Sequence, residues 1–361
     1  MKQNEQLACL IAAGGTAGHT TPALAIADAL RRRSVLVTFA GSPDRAEARL
    51  VPAAGYELDT FRVSGITRKP GAAMARSLLL AARAPAACGR IIERRRPDVV
   101  LGGGGYVAGP MVYAAWRRHV PAALTEADAH LGLANRLAAP FATRVFLAYP
   151  IEGRAGPKYR VVGRPVPHVE RPSREDARRR FGLPVEGPVL LVFGGSQGAQ
   201  ALNEAALDFF GSRPEGSGPA VLHLCGERYV EELRPRVARS DYILLPWTDD
   251  FAGALAACDL VFARAGGSIW EVAAAGKPAV LVPSPNVTAD HQTKNARYFE
   301  QGGGAVVVAE PEIGRAEDAI HALLEDEGRR VRMGEAMLAL ARPDAADVIA
   351  EELIALARSG R

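Results

Sequence analysis

Cysteine is scarce in this 361-residue chain: Cys9, Cys88, Cys225 and Cys258 are the whole set, and no two are spaced as a metal-ligand or redox pair. That argues against a disulfide framework or a cysteine zinc site and fits a reducing compartment. No apolar run approaches the ~20 residues of a membrane-spanning helix. The stretch 7–13 is too short for a secretory signal and runs straight into a glycine loop. A Gly-Lys-Ser/Thr pair is missing, which argues against a P-loop nucleotidase. So is the ribose-binding acid of dinucleotide dehydrogenases, because the second strand runs into Phe39-Ala40-Gly41-Ser42. No nucleic-acid partner, metal or cofactor is expected.

What is present is one arrangement used twice. The apolar run 7–13 breaks into Gly14-Gly15-Thr16-Ala17-Gly18-His19, and a helical pattern follows. The run 188–193 breaks into Gly194-Gly195-Ser196-Gln197-Gly198-Ala199, again before a helical pattern. Strand, glycine turn and helix together offer bare backbone N–H groups and a positive helix end to a phosphate. Two such sites suggest two nucleotide-binding-type domains around a diphosphate. Length and a 48% hydrophobic content allow two cores.

Around these loops the chain alternates. Strand-like runs fall at 7–13, 35–40, 56–63, 98–101, 121–125 and 144–148, then at 188–193, 220–224, 242–245, 259–263, 279–283 and 304–308. Such continuous apolar runs suit parallel strands buried on both faces. Gly163-Arg164-Pro165-Val166-Pro167 reads as a linker, giving domains 1–163 and 164–341. A last helix, 345–357, is expected to return to the first domain. Charge is uneven: 22 basic against 11 acidic residues over 1–163 give +11, leaving −7 for the remainder of a chain with net charge +4. A basic first half suits phosphates or anionic lipid head groups, although arginine is abundant throughout.

Several residues carry chemistry. Gly102-Gly103-Gly104-Gly105-Tyr106 has more glycines than a turn needs, as where backbone approaches a ligand closely. His19, just past the first loop, is either a helix-start cap or a general base for a hydroxyl. Gly266-Gly267-Ser268 leads to Glu271, one turn into a helix, where a carboxylate can accept from a ribose diol or simply favour the helix dipole. Asp290 reads as an N-cap, and Gln292 suits sugar hydroxyls.

On Gly14–His19 with 21–25, 103–110, 194–199, 264–276 and 290–296, in this order and spacing, the chain resembles the MurG family of bacterial N-acetylglucosaminyltransferases over essentially its whole length. The resemblance implies an α/β GT-B fold, two Rossmann-like parallel-sheet domains separated by a cleft. It implies an inverting transfer of GlcNAc from UDP-GlcNAc to the C4 hydroxyl of an undecaprenyl-diphosphate-linked MurNAc-pentapeptide, lipid I to lipid II. It implies catalytic roles for His19 and Glu126. Donor contacts would come from Gly15, Thr16, Ala17, Gly18, Asp128, Arg164, Ser196, Gln197, Gly198, Gly267, Ser268, Glu271 and Gln292. Gly103, Gly104 and Tyr106 would meet the acceptor diphosphate.

The chain departs from the family pattern in three places. Thr125-Glu126-Ala127-Asp128 stands where the family has His-Glu-Gln-Asn. Pro167 fills the slot of a linker arginine, for which Arg164 is the substitute, and 264–271 is one residue short with an unusual Trp270. Another GT-B enzyme, such as a lipid or secondary-metabolite glycosyltransferase or a UDP-GlcNAc 2-epimerase, or a non-catalytic scaffold, remains a rival reading. The substrate implies an anionic membrane surface as partner and a peripheral place on the cytoplasmic face of the cell membrane. Met74, Leu78, Leu79 and Leu80, interleaved with Arg76, Arg83, Arg90 and Arg94–Arg96, read as either an interfacial surface or a core-packed helix with a solvated face.

Overall fold

In the computed structural model the described residues are 6–63, 71–168 and 170–360, without the side chains of 72, 73, 75–78 and 288. The chain divides into two compact units, Met1–His168 with Pro343–Arg361, and Val169–Arg342. The division falls just beyond the proline-rich 163–167 segment, so Arg164 belongs to the first unit.

The first unit is built on β1 (Ala8–Ala12), β2 (Leu36–Gly41), β3 (Glu57–Thr60), β4 (Val99–Gly102), β5 (Ala122–Glu126), β6 (Arg144–Leu147) and β7 (Tyr159–Val161). All pair in parallel in the order β3-β2-β1-β4-β5-β6-β7. Alternation along β1 feeds two cores. Cys9 and Ile11 join Ile26 and Leu30 of the helix Ala17–Arg32, with Ile349 and Leu353 of the C-terminal helix Ala345–Ser359. Leu10 and Ala12 face Cys88 and Ile92 of the helix Ala72–Arg95 and Met111 and Val112 of the helix Ala108–Trp116. Each fully buried aliphatic side chain contributes about 1.5–3 kcal/mol, so a sheet covered on both faces explains why its strands read as unbroken apolar runs. Ion pairs of Arg33 with Asp347 (2.6 Å) and Glu351 (2.9 Å) fix the C-terminal helix on the rim.

The second unit repeats the plan with β8 (Val189–Phe193), β9 (Ala220–Leu224), β10 (Tyr242–Leu245), β11 (Leu260–Ala263), β12 (Ala279–Leu281) and β13 (Ala305–Val307). These too are parallel, in the order β10-β9-β8-β11-β12-β13. Arg178, on the helix Arg174–Phe181, is fully buried. It donates to the carbonyls of Ala257, Val185 and Gly187 and pairs with Asp259 at 2.7 Å. These partners offset the cost of burying the cation and staple the helix to the start of β8, whose Val189 N–H donates to the same Asp259.

In each sheet the strand order reverses beside the strand that comes first along the chain, β1 against β4 and β8 against β11. Ligands in such sheets bind outside the carboxyl ends of the strands at that reversal. The glycine loops follow β1, β4, β8 and β11, so all four lie at that end.

Candidate functional site

In the first unit Gly15 has φ +94°, a left-handed turn that suits glycine. Thr16 takes the N-cap position of the helix Ala17–Arg32 in an extended conformation. Its hydroxyl does not cap the helix but lies 3.1 Å from His19 Nδ1. Ala17 and Gly18 are exposed, and the Gly18 carbonyl accepts from the Arg164 guanidinium, which is buried at the end of the segment after β7.

The glycine run after β4 wraps this turn. A Cβ at Gly103 would lie 2.7 Å from Ala13 Cβ, one at Gly104 2.5 Å from His19 Cδ2, and one at Gly105 2.1 Å from the Gly14 carbonyl oxygen. The protein's own packing therefore accounts for these glycines before any ligand does. Tyr106 covers Gly15 from the other side, its Cε1 3.2 Å from where a Cβ would stand. His19 is half-buried in this cradle. Burial and the Arg164 guanidinium hold its pKa below the usual imidazole value, while Asp128 and Glu47 push it back up. At neutral pH the ring is uncharged and able to accept a proton.

Glu126, for which the resemblance implies a catalytic role, is bound by the loop that follows it. It is buried at the end of β5, and both carboxylate oxygens are engaged. Oε1 accepts from the N–H groups of Ala127 (2.9 Å) and Asp128 (3.3 Å), and Oε2 from Gly132 N–H and Asn135 Nδ2 (both 2.9 Å). Burial pushes its carboxyl pKa up, against the pull of the Gly132 and Asn135 bonds. Its geometry is that of a latch on the 127–132 loop, which carries Asp128 towards His19.

In the second unit Gly195 (φ +91°) and Gly198 (φ +69°) make the turn before the helix Gln200–Phe210. A Cβ at Gly198 would fall 2.0 Å from the Cys225 carbonyl oxygen. Ser196 and Gln197 are exposed on the loop, and Ala199 takes the N-cap position with no side-chain cap. The first N–H groups of the helix thus keep their capacity to bind an anion. Behind the loop Asn203 Nδ2 donates to the Cys225 carbonyl (2.9 Å). Its Oδ1 lies 3.0 Å from His223 Nε2, whose Nδ1 is 2.8 Å from the Tyr242 hydroxyl. Burial pushes the His223 pKa down to about 3, so this chain of groups is uncharged.

After β11, Gly267, Ser268 and Glu271 are partly exposed around the start of the helix Ile269–Ala274. Trp270 points the other way, buried against Phe299 with ring centroids 5.4 Å apart, which explains an indole in that helix. Arg264 donates to the Val282 (3.0 Å) and Pro283 (3.2 Å) carbonyls and pairs with Glu310, tying β11 to the end of β12. Gln292, on the helix His291–Gln301, accepts from Ser284 N–H through Oε1 (2.8 Å), so its amide is already oriented by the protein. Asp290 stands at the N-cap with φ +52°, yet its carboxylate accepts from the Thr293 hydroxyl (2.6 Å) instead of a backbone N–H. Buried Asn295 reaches back to the Ala265 carbonyl (3.2 Å) and joins this helix to the glycine turn.

The first unit thus gathers His19, Thr16, Asp128, Arg164, Gly103, Gly104 and Tyr106. The second gathers Ser196, Gln197, Gly198, Gly267, Ser268, Glu271 and Gln292. Glu47, Asn135, Asn203, His223 and Asn295 were missed in the sequence because their partners are distant along the chain; a polar residue at an otherwise buried helical or strand position was the only signal.

Residues 9–147 match the family model for the glycosyltransferase family 28 N-terminal domain and residues 189–349 that for the C-terminal domain. Among curated relatives, the UDP-N-acetylglucosamine–N-acetylmuramyl-(pentapeptide) pyrophosphoryl-undecaprenol N-acetylglucosamine transferase of Salinibacter ruber is 42% identical, with 96% of each chain covered. The enzyme of the same name from Halorhodospira halophila is also 42% identical, over 94% of this chain and 96% of that one. Among solved structures, Acinetobacter baumannii MurG superposes with a TM-score of 0.76 at 26% identity, covering 97% of this chain and all of the other. A UDP-GlcNAc 2-epimerase from Neisseria meningitidis superposes at 0.68 but with 12% identity over 97% of this chain and all of that one, a likeness of fold alone.

Proposed function

This chain belongs to glycosyltransferase family 28, and within it to the MurG-type N-acetylglucosaminyltransferases, and from that premise we propose that it moves GlcNAc from UDP-GlcNAc to the C4 hydroxyl of an undecaprenyl-diphosphoryl MurNAc-pentapeptide. The observation that carries the reading is His19, an imidazole kept neutral by burial and held in a glycine cradle at the strand-order reversal.

In this reading Nδ1–H of His19 donates to the Thr16 hydroxyl, leaving Nε2 to take the C4 hydroxyl proton. The hydroxyl oxygen attacks the anomeric carbon, the bond to the phosphate oxygen breaks, and its electron pair leaves with UDP. One displacement inverts the anomeric centre. Asp128 stabilises the imidazolium as it forms, and Arg164 opposes it. Both effects are general-base tuning by neighbouring charge. Glu126 acts by holding the loop of Asp128.

The leaving diphosphate would sit over Ser196, Gln197 and Gly198, where uncapped helix N–H groups stabilise its charge. Glu271 would accept from the ribose hydroxyls, and the Gln292 amide and Ser268 would meet donor hydroxyls. Gly103, Gly104 and Tyr106 would line the acceptor diphosphate. Acceptor-dependent UDP release from UDP-GlcNAc with a lipid I analogue tests the reading. An enzyme releases UDP only with acceptor present, whereas a binding scaffold releases none.

The acceptor's lipid also implies a peripheral place on the cytoplasmic face of the membrane, with an anionic surface as partner. No helix among the described residues is long and apolar enough to cross it. Leu79, Trp116, Leu133 and Leu137 are 50%, 48%, 63% and 64% exposed, on three helices packed side by side, Ala72–Arg95, Ala108–Trp116 and Leu133–Ala138. Exposed Arg83, Arg90, Arg117 and Arg136 lie on or beside the same helices. Arg94 and Arg95 are instead committed to Asp59 and Glu57. The side chains of Arg76 and Leu78 lie outside the described set. Exposed apolar groups rimmed by arginine suit peripheral docking.

A further inference from the structure

We propose that Glu47 is a positioning residue of the transfer reaction, its carboxylate fixing the 14–16 loop and through it the His19 imidazole. The inference rests on the reading of His19 as base. Glu47 sits in the first turn of the helix Ala46–Ala53 and is completely buried. Its Oε2 accepts from Gly15 N–H and its Oε1 from Ser42 N–H, each at 2.9 Å. One carboxylate therefore ties the loop after β1 to the loop after β2. The space it occupies is that of two missing side chains: a Cβ at Gly14 would lie 2.1 Å from Oε1, and one at Gly41 2.6 Å from Cγ.

Among the described residues no arginine or lysine forms an ion pair with Glu47. A buried carboxylate without a cation is costly, and an apolar side chain would pack the same space at lower cost. What it supplies that an apolar group cannot is a fixed direction for the Gly15 amide, one residue before the Thr16 that holds His19 Nδ1, and a negative charge facing the imidazole. The charged groups acting on His19 are Arg164, which disfavours its protonation, and Asp128 and Glu47, which favour it. Thr16 is its uncharged polar neighbour, 3.1 Å from Nδ1, and Tyr106 packs on the adjoining Gly15.

The test is acceptor-dependent UDP release by wild type, Glu47→Gln, His19→Ala and the double variant, with a pH profile for each. Glu47→Gln keeps the shape but turns an N–H donor towards one of the two backbone donors. The expected result is a loss of kcat on the order of 10- to 100-fold, with KM for UDP-GlcNAc within about twofold. The acid limb of the profile moves to lower pH, because removing a negative charge makes His19 harder to protonate. In the His19→Ala background Glu47→Gln costs nothing further, since both act through one group. Gly14→Ala, which drives the carboxylate aside, reproduces the kcat loss and is the second route should Glu47→Gln fold poorly. Normal kcat in Glu47→Gln with His19→Ala inactive overturns the positioning role and leaves the base intact. So does a full further loss in the double variant. Near-normal turnover in His19→Ala overturns the base itself.

Discussion

The two units solve the same geometric problem with different chemistry. Each must hold a glycine turn at the end of a central parallel strand so that a helix begins at the strand-order reversal. In the first unit the turn is pinned from below by a charged group, Glu47, bonded to Gly15 and Ser42. In the second it is backed by an uncharged relay, Asn203 to His223 to Tyr242, bonded to the Cys225 carbonyl against which Gly198 packs. In the proposed mechanism a carboxylate suits the turn that carries the base, because it would stabilise the imidazolium formed there. Under a turn that offers N–H groups to a diphosphate the same charge would repel the ligand. The difference matches the division of labour in the proposed mechanism, proton transfer in the first unit and binding of the donor diphosphate in the second.

The division is broken most severely at His19. His19→Ala is expected to lose about 10²–10⁴-fold in turnover, the usual range of general-base catalysis. KM for UDP-GlcNAc should stay within about twofold, and steady-state kinetics with a lipid I analogue reads both. Gly198→Ala probes the other side. Its backbone is left-handed, and the added Cβ has no room beside Cys225. A left-handed non-glycine residue costs about 1–2 kcal/mol even without the clash, so UDP affinity should fall by tenfold or more in calorimetric titration. Glu271→Ala should weaken UDP by about 1–3 kcal/mol through lost charged hydrogen bonds. An equal loss for a ribose-lacking analogue would remove Glu271 from the ribose.

Stability against pH separates the two pins. His223 titrates near 6.5 when unfolded and at about 3 in the native fold. Between those values the unfolded chain binds the extra proton, so stability falls as pH drops below about 6.5, by up to about 1.4 kcal/mol per pH unit. Denaturant melts of wild type and His223→Gln should show this slope in the former and a shallower one in the latter. The smallest effect is expected at the helices proposed to dock on a membrane surface. Leu79→Ser with Trp116→Ser should reduce binding to anionic vesicles that persists in high salt. The salt-sensitive part, about 1 kcal/mol per surface arginine, should survive.

Much of this was legible in the sequence for a physical reason. Strands buried on both faces are written as continuous apolar runs, and turns with left-handed backbone are written as glycine. The strand expected over 56–63 shrinks to Glu57–Thr60 because only these residues pair with β2. β7 was not anticipated, since Tyr159–Val161 is an edge strand with Arg160 exposed and lacks the apolar run that marks the equally short β12 and β13. The glycine run after β4 pointed to a ligand, and its nearest neighbours proved to be Ala13, His19 and the Gly14 carbonyl. The pins were invisible for another reason. Glu47 lies 32 residues from Gly15, and His223 lies 20 from Asn203, so no local pattern joins them. Read alone, Glu47 is one more first-turn glutamate, and Glu126 one more acid at a strand end.

The division of labour is tested most directly by titrating UDP-GlcNAc into the His19→Ala variant in a calorimeter, beside wild type. The account predicts the same affinity within about twofold in a protein whose acceptor-dependent UDP release is nearly gone. A loss of donor affinity as large as the loss of turnover would contradict it.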